Sequence, residues 1–359
     1  MQKVGIVTII DNNNYGNRLQ NYALQETLKK LDYDVYTIKN NRFFNSKVGV
    51  RQQIIYIIKS IKKNLQNIFF ISSKRKAKFK LFNKNINFSE KWISGYNSNE
   101  SEKYDFFVVG SDQVWKPTGL RLSDVTLLKF AKKEKKISYA ASFGVSKIDD
   151  IIGKKREKDF MDFKAISVRE NEGKRIVEKY TNRTDVQVLV DPTMLLNADE
   201  WNKVIQEPEY FSKLKNKKYI LNYFLGKIPE DREKEIERIA RENNCEIINI
   251  LDKESEFYKT GPSEFLFLEK NAFLICTDSF HSCVFSLIFN RPFIVFERAG
   301  TAINMNSRIN TLIANLHIGN RRFNGKITNE NIMHDYTESY MILENEKEKS
   351  LDFLRKNLV

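Results

Sequence analysis

The chain has few cysteines and no long hydrophobic run, and these absences exclude several classes of protein. Its 359 residues include three cysteines, an odd number without a CxxC spacing, so neither a disulfide framework nor a zinc site is indicated. No apolar run approaches about 18 residues, and the N-terminal MQKVGIVTII leads straight into a predicted strand without a cleavage site. We therefore expect a cytoplasmic protein without a membrane span and without an obligatory metal.

Acidic residues are absent from residues 35–89. The basic residues of this segment are Lys39, Arg42, Lys47, Arg51, Lys59, Lys62, Lys63, Lys74, Arg75, Lys76, Lys78, Lys80 and Lys84. These thirteen positive charges compare with a formal net charge of +14 for the whole chain. Nearly all of the excess charge is therefore local, and the rest of the chain is close to neutral.

The basic segment contains a predicted amphipathic helix at residues 51–72. Its apolar face consists of Ile54, Ile58, Ile61, Leu65 and Ile68. A helix that packs on its own domain and exposes a solvated basic face explains this pattern. The alternative is a surface that meets anionic lipid headgroups, helped by the basic run at residues 74–78. Nucleic acid is not an expected partner, because the segment has no helix-turn-helix, zinc finger or aromatic strand platform.

Length, composition and element order predict an α/β protein with two domains. A chain of 359 residues is too long for one ordinary core and suits two domains of about 150 to 200 residues. Short apolar strands alternate with helices along both halves, which predicts parallel sheets covered by helices. The predicted strands are residues 4–10, 35–38, 104–109, 137–141, 165–168, 188–190, 218–224, 246–250 and 273–276. The main predicted helices are residues 18–31, 230–243, 262–269 and 280–289.

The stretch FLICTDSFHSCVFSLIFNRPFIVF at residues 273–296 is the predicted floor of an active site. It begins with a buried strand, and the polar residues 277–279 then supply oxygen atoms for a helix start. The helix ends near Asn290, because Pro292 lacks an N–H group and disfavours helix at the residue before it. His281 is therefore expected in the first turn, where backbone N–H groups and the helix dipole favour a phosphate or carboxylate. A capped or core histidine is the simpler interpretation.

Four strings in the chain resemble the polysaccharide pyruvyl transferase family, whose members move pyruvate from phosphoenolpyruvate onto a sugar. The resemblance is carried by NYGNRLQNYAL at residues 14–24, GSDQVW at residues 110–115, DPT at residues 191–193 and TDSFHS at residues 277–282. It extends over residues 4–312 and is weakest at residues 35–89 and in the C-terminal tail. Many relatives carry Arg two residues before the His of the last string, where this chain has Ser279.

The resemblance implies a GT-B-like architecture, in which two Rossmann-like domains face each other across a cleft. The predicted N-terminal domain covers residues 1–190 and includes a basic helical insertion at about residues 40–90. The predicted C-terminal domain covers residues 191–359. Its last helix is expected to return to the N-terminal domain.

The resemblance also assigns roles to individual residues. His281 is expected to be the catalytic acid or a contact to the donor. The expected donor-binding residues are Arg169, Ser279, Phe280 and Ser282. The expected cleft or acceptor residues are Asn14, Tyr15, Gly16, Asn17, Ser111, Asp112, Gln113 and Trp115. Arg169 suits a donor site because a guanidinium can form two parallel hydrogen bonds to a carboxylate or phosphate. A structural ion pair with Glu170 or Glu172 is the alternative for this residue.

The chain is therefore expected to be a pyruvyl transferase of polysaccharide or exopolysaccharide biosynthesis for the cell envelope. It would move pyruvate from phosphoenolpyruvate onto a sugar of a polysaccharide or lipid-linked oligosaccharide precursor as a ketal, releasing phosphate. Phosphoenolpyruvate is a co-substrate, and no cofactor is expected. A lipid-linked acceptor and the basic segment suggest a peripheral position at the inner face of the cell membrane. Two alternatives stay open, a GT-B glycosyltransferase that uses a nucleotide sugar and a non-catalytic saccharide-binding relative.

Overall fold

The computed structural model describes residues 1–40, 70–93, 98–118, 121–214, 217–299 and 307–359. It divides into two compact units. Among the described residues, the first unit contains 1–40, 83–195 and 346–359, and the second contains 70–82 and 196–345. Residues 70–82, part of the predicted basic insertion, belong to the second unit. The predicted helix at residues 51–72 lies outside the described residues except for its last three positions.

The first unit is built on a fully parallel sheet of seven strands. They are β1 (Lys3–Val7), β2 (Asp34–Asn40), β3 (Phe88–Ile93), β4 (Phe106–Val109), β5 (Lys136–Ala141), β6 (Ala165–Val168) and β7 (Gln187–Val188). Their order in the sheet is β3-β2-β1-β4-β5-β6-β7. The chain leaves β1 in one direction and returns on its other side at β4, and ligands of open α/β sheets bind at the carboxyl ends of strands where the order reverses in this way.

The second unit is built on a smaller parallel sheet of four strands. They are β8 (Lys218–Tyr223), β9 (Cys245–Asn249), β10 (Leu274–Thr277) and β11 (Phe293–Val295). Their order is β11-β10-β8-β9, with β10 between β11 and β8. The residues of β10 are buried on both faces, which explains why this strand reads as a continuous apolar run.

Helices connect and cover the strands in both units. They are α1 (Tyr15–Lys30), α2 (Phe70–Phe82), α3 (Ser98–Ser101), α4 (Asp150–Met161), α5 (Asn171–Thr181), α6 (Ala198–Asn202), α7 (Glu230–Glu242), α8 (Pro262–Asn271), α9 (Phe280–Ile288), α10 (Ser307–Asn315), α11 (Asn329–Ile332) and α12 (Thr337–Asn357). Short 3-10 helices occupy Asn83–Asn85, Lys133–Lys135, Pro192–Leu195, Glu209–Leu214, Glu256–Lys259 and Gly319–Arg321. In the part of the chain that the structure describes, no helix is both long and apolar enough to span a bilayer.

Local sequence explains where several helices begin. The side chain of Asn14 caps α1 by accepting a hydrogen bond from the backbone N–H of Asn17 at 3.3 Å. Pro262 opens α8, where its missing N–H costs nothing, and the Glu264 carboxylate accepts from the N–H of Gly261 at 2.8 Å. These side chains satisfy backbone groups that have no partner within the helix.

The last helix, α12, begins in the second unit, and its residues from Glu346 onward belong to the first unit. There, Phe353, Leu354 and Leu358 join a hydrophobic cluster with residues of β1, β4 and α1. The hydroxyl of Tyr33 donates to the carbonyl of Leu358 at 2.6 Å. The C-terminal residues are therefore part of the core of the first unit.

Apart from the predicted helix at residues 51–72, the strands and main helices predicted from the sequence are present, with ends that move by a few residues. The prediction of an α/β, GT-B-like fold with parallel sheets is confirmed. The sequence analysis did not predict β3, whose burial pattern lacks a clear period and whose residue Trp92 is 57% exposed. An edge strand of this kind gives a weak signal, because little of its surface is buried.

Candidate functional site

The turn between β10 and α9 places the predicted catalytic residue in the second unit. The hydroxyl of Thr277 donates to the carbonyl of Tyr223 at 2.7 Å and accepts from the backbone N–H of Ser279 at 3.0 Å. Ser279 is the N-cap residue of α9, but its side chain makes no capping hydrogen bond. Of the oxygen atoms expected at this helix start, that of Ser279 therefore makes no cap, whereas that of Thr277 accepts from the N–H of the N-cap residue itself.

His281 lies in the first turn of α9, as the sequence predicts. Its residue surface is 6% exposed, and its ring contacts the ring of Phe280 edge to face at 5.3 Å between centroids. Phe280 and Ser279 are likewise buried, at 5% and 3% exposed. These three residues lie at the carboxyl end of β10, the edge where parallel sheets bind ligands.

Asp278 organises the neighbouring loop, a role that the sequence analysis did not assign. Its carboxylate accepts from the backbone N–H groups of Leu225 and Gly226 at 2.6 and 2.9 Å. It also accepts from Nε of Arg298 at 3.0 Å, and the Asp278 carbonyl accepts from Nη2 of the same guanidinium at 3.0 Å. Asp278 thus holds the loop after β8 and a cation next to the start of α9. The string TDSFHS contains Asp278, but an acidic residue before a helix is more readily interpreted as a cap.

Ser282, a predicted donor contact, faces the interior of the second unit. Its hydroxyl donates to the buried carboxyl group of Glu269 on α8 at 2.5 Å, and the residue has no exposed surface. A contact from the Ser282 side chain to a donor would have to compete with this short internal bond. Glu269 was not predicted, because a single acidic residue in an apolar helix gives no signal of its own.

In the first unit, two of the family strings, GSDQVW and DPT, meet Arg169 in one buried ion network. The Arg169 guanidinium pairs with Asp112 through Nη2 at 3.1 Å and with Asp191 through Nη1. Asp191 accepts from the Ser111 hydroxyl at 2.8 Å and from the backbone N–H of Thr193 at 3.0 Å. The network therefore ties the loop after β4, the end of β6 and the turn that follows β7.

The partners of Arg169 differ from the ion pair with Glu170 or Glu172 that the sequence left open. The Arg169 side chain is 1% exposed and lies between two carboxylates. Burial by itself lowers the pKa of Arg169, but the charges of Asp191, Asp112 and Glu170 outweigh it and hold the pKa above its ordinary value. The arginine is fully charged, and its charge is already balanced. A donor anion at this position would have to displace a carboxylate.

Glu170 organises the loop after β5 through backbone and hydroxyl contacts. Its Oε1 atom accepts from the backbone N–H groups of Phe143 and Gly144 at 2.8 and 3.1 Å and from the Ser142 hydroxyl at 3.0 Å. Gly144 has a φ of +64°, and a side chain there would collide with the Gln113 amide. The adjacent residues 169 and 170 thus hold different loops at the same edge of the sheet.

The predicted acceptor loop at the start of α1 is closely packed. Asn14 and Asp11 turn the chain, since Nδ2 of Asn17 donates to the Asp11 carboxylate at 2.9 Å. Tyr15, Gly16 and Asn17 are all buried, and Asn14 is partly buried. The loop therefore presents its backbone and Asn14, more than the Tyr15 ring, to any ligand.

Gln20 links the acceptor loop to the GSDQVW string, and it was missed in the sequence analysis. Its amide nitrogen donates to the Thr8 hydroxyl at 2.8 Å, while its amide oxygen accepts from the backbone N–H of Ser111 at 2.9 Å. The peptide bond between Gly110 and Ser111 is cis. The loops after β1 and β4 are thus joined by one buried side chain.

Gln113 and Trp115 occupy different environments. The Trp115 ring has no exposed surface, packs on Phe143, Phe160 and Phe163, and donates from Nε1 to the Thr126 carbonyl at 3.0 Å. A ring so placed cannot touch an acceptor unless the core opens. Gln113 is also buried, at 7% exposed, and its amide oxygen accepts from Arg121 at 2.7 Å.

The described residues contain no cluster of side chains that could bind a metal ion. Among residues 1–40, 70–93, 98–118, 121–214, 217–299 and 307–359, no group of three or more His, Cys, Asp or Glu side chains is arranged to hold an ion. The carboxylates of the first unit instead bind arginine and backbone N–H groups.

Solved structures with a similar fold support the class of protein that these two sheets define. The chain resembles MnaA of S. aureus, solved with UDP, with a TM-score of 0.51, 12% identity and coverage of 100% of this chain and 98% of that one. It also resembles the UDP-GlcNAc 2-epimerase of Methanocaldococcus jannaschii, with a TM-score of 0.51, 14% identity and coverage of 96% and 92%. At these identities the similarity concerns the fold alone. The protein has an α/β fold of the GT-B-like class.

Sequence comparison identifies the family within that class. The model of the polysaccharide pyruvyl transferases matches residues 14–300, most of the chain. The chain belongs to the polysaccharide pyruvyl transferase family, and it is a polysaccharide-modifying transferase. A search of curated protein sequences finds no match. The resemblance noted from the four strings is thereby confirmed.

Proposed function

We propose that the protein transfers pyruvate from phosphoenolpyruvate to a sugar of a polysaccharide or lipid-linked oligosaccharide precursor, forming a ketal and releasing phosphate. Membership of the pyruvyl transferase family supports the reaction class. Phosphoenolpyruvate carries one carboxylate and one phosphate, and a site for it needs positive potential together with a proton donor.

The observation that carries the proposal is the start of α9. His281 lies in its first turn, and the N-cap residue Ser279 makes no side-chain capping bond. The N-terminal backbone of the helix therefore offers positive potential to an anion, while the imidazole supplies a proton on the same turn. Arg298 pairs with Asp278, one residue before the cap, so its charge is balanced by that carboxylate and it holds the loop in place. An anion-binding group and an acid are thus close together along one short segment.

The chemistry balances with one acid and two acceptor hydroxyls. His281, protonated, gives its proton to the methylene carbon of phosphoenolpyruvate while one sugar hydroxyl attacks C2 and loses its own proton. The C–O bond to phosphate then breaks. The second hydroxyl attacks the same carbon and loses its proton, which leaves a cyclic ketal and inorganic phosphate. Positive potential at the helix start stabilises the departing phosphate.

The ion network of the first unit does not support the donor-binding role expected for Arg169, but it supports the proposal by ordering the loops around the acceptor site. Because Asp112 and Asp191 already pair with this guanidinium, we assign Arg169 to holding the loops after β4 and β7. These loops lie at the carboxyl ends of the parallel strands, where an acceptor saccharide would bind. Asn14 at the start of α1 and the backbone of the following residues complete the proposed acceptor surface.

A nucleotide-sugar transferase is the competing reaction, since the S. aureus relative in fold was solved with UDP. The experiment is to incubate the protein with either phosphoenolpyruvate or UDP-sugars and a panel of lipid-linked saccharides, and to weigh the products by mass spectrometry. The proposal expects products heavier by one pyruvyl group in the phosphoenolpyruvate arm alone. Added sugar in the UDP-sugar arm would contradict it. Lack of product in both arms, with every acceptor class represented, would favour the non-catalytic alternative.

A further inference from the structure

A buried acidic residue behind the catalytic helix has no part in the chemistry described so far. Glu269 lies in α8 and has no exposed surface. Its hydrogen-bond partners are the hydroxyls of Ser282 at 2.5 Å and Ser286 at 3.5 Å, both on α9. Within the described residues, no lysine, arginine or histidine nitrogen forms an ion pair with it. Ionised carboxylates are rarely buried without a cation.

The hydrogen bonds of the three side chains favour a protonated carboxyl group. The Ser286 hydroxyl donates to the Ser282 carbonyl at 2.8 Å, so its single proton is already used. The Ser282 hydroxyl donates to Oε1 of Glu269. The Ser286 oxygen also lies 3.5 Å from Oε2 of Glu269, and with its own proton on the Ser282 carbonyl it is placed to accept a proton from the carboxyl group. Every donor then has one acceptor, and the three side chains close a ring.

We propose that Glu269 is a positioning residue that carries a proton and, through Ser282 and Ser286, fixes the helix that presents His281. Ser282 follows His281 directly in the chain, so a shift of the Ser282 anchor moves the imidazole with it. Burial strengthens this proposal, since it raises the pKa of Glu269 well above its ordinary value, and the two serine hydroxyls offset only part of that effect. The effect of Glu269 on catalysis through His281 rests on the proposed function. The protonation of Glu269 does not depend on that function.

Two titratable groups that interact with Glu269 stay neutral in the range where it would be tested. They are Cys283 on α9 and Tyr219 on β8, and burial raises the pKa of both. Lys78 of α2 pairs with Glu264 of α8 and not with Glu269. His281 is the same in the native protein and in a Glu269 variant, so a pH-dependent difference between the two proteins reports on Glu269 itself.

Thermal unfolding of Glu269→Gln tests the protonation without any substrate. A carboxyl group whose pKa is raised on folding stabilises the fold fully below its unfolded pKa, and the contribution is lost as pH rises through the folded pKa. An amide keeps an oxygen acceptor and N–H donors at every pH, without a charge. We therefore expect the Tm of the Gln variant to equal that of the native protein at about pH 5 and to exceed it at about pH 8.5. Glu246→Gln, an exposed control that loses only a pair with Lys217, should show no such gain.

Steady-state kinetics test the positioning role. Glu269→Gln should keep kcat within about twofold, whereas Ser282→Ala and Glu269→Leu, both confirmed as folded by circular dichroism, should lose about tenfold or more in kcat with little change in KM. Glu269→Gln should also extend activity to higher pH. Ser282→Ala removes a single hydroxyl, so it tests the positioning role even if Glu269→Leu does not fold.

Two results would overturn the inference. A Gln variant whose Tm falls below that of the native protein at high pH would mean that the carboxyl group is ionised. Native kcat in both Glu269→Leu and Ser282→Ala would mean that the ring does not position His281. If the native protein itself lacks pyruvyl transfer, the proposed function fails, but the unfolding experiment still decides the protonation of Glu269.

Discussion

At the scale of single residues, His281 and Arg169 are both buried but in contrasting surroundings. His281 lies at the positive end of a helix and beside an aromatic ring. Arg169 lies between two carboxylates. The first environment suits a group that gives a proton to a bound anion, and the second suits a group that holds loops in place.

His281→Gln is expected to remove pyruvyl transfer while leaving the fold intact, because glutamine fits the site but cannot act as an acid. The rate should fall by about 100-fold or more, the usual worth of general acid catalysis. Initial rates with saturating phosphoenolpyruvate measure the loss, and circular dichroism verifies the fold. A variant that keeps more than about a tenth of the native rate would show that His281 is not the acid.

Arg169→Lys is expected to lower the free energy of unfolding by about 2 kcal/mol, since one ammonium cannot replace a guanidinium that pairs with two buried carboxylates. Urea unfolding measures this change. The KM for phosphoenolpyruvate should move little beyond what the lost stability explains. Native stability with a strongly raised KM would instead restore the donor-binding role that the sequence suggested.

At the scale of elements, α2 is joined to the second unit by specific contacts. Arg75 is 4% exposed, donates to the carbonyl of Thr260 at 3.2 Å and packs over the Tyr258 ring at 5.0 Å. Lys78 pairs with Glu264. Two cations of the basic segment are therefore structural, and they cannot face a membrane without leaving these partners.

Arg75→Ala should destabilise the second unit by about 2 kcal/mol, because it leaves buried carbonyl groups without a donor. Lys80→Ala, an exposed change on the same helix, should cost less than about 0.5 kcal/mol. The measurement is the unfolding midpoint of each variant in urea. Equal midpoints would mean that α2 does not depend on the Arg75 contacts.

The elements most readily predicted from the sequence were those with a simple apolar pattern. β10 and α9 were found because a short buried strand, a polar turn and Pro292 leave few other arrangements. β3 was missed, because an exposed edge strand lacks a regular period. The contacts of Asp278, Gln20 and Glu269 could not be predicted, since each depends on a partner far away in the chain. The sequence therefore located the family motifs. Only the structure shows that Arg169 and Ser282 bind partners inside the protein.

At the scale of the whole molecule, the concentrated positive charge predicts reversible attachment to anionic membranes. Each Lys or Arg near such a surface contributes about 1 kcal/mol at most, and the attraction fades over roughly 8 Å at physiological salt. Arg75 and Lys78 bind residues of the second unit, so they are not part of the proposed membrane-binding surface. The remaining described cations of residues 74–80 are Lys74, Lys76 and Lys80.

Changing Lys74, Lys76 and Lys80 together to Gln should weaken co-sedimentation with anionic vesicles at low salt, and high salt should weaken binding of the native chain. Neutral vesicles should bind neither protein. A variant with Lys132, Lys133 and Lys154 changed to Gln carries the same net charge and should bind like the native chain. Equal binding by the two variants, or no binding by the native chain, would remove the membrane hypothesis.

The most direct test of the central claim is the isotope content of the product. The native protein is incubated in D₂O with phosphoenolpyruvate and a lipid-linked acceptor, and phosphate release and product mass are followed together. If an acid delivers a solvent-derived proton to the methylene carbon, each ketal methyl group should carry one deuterium and appear together with one phosphate. The His281→Gln variant should form neither. A pyruvylated product without deuterium in its methyl group, or full activity in the variant, would contradict the account.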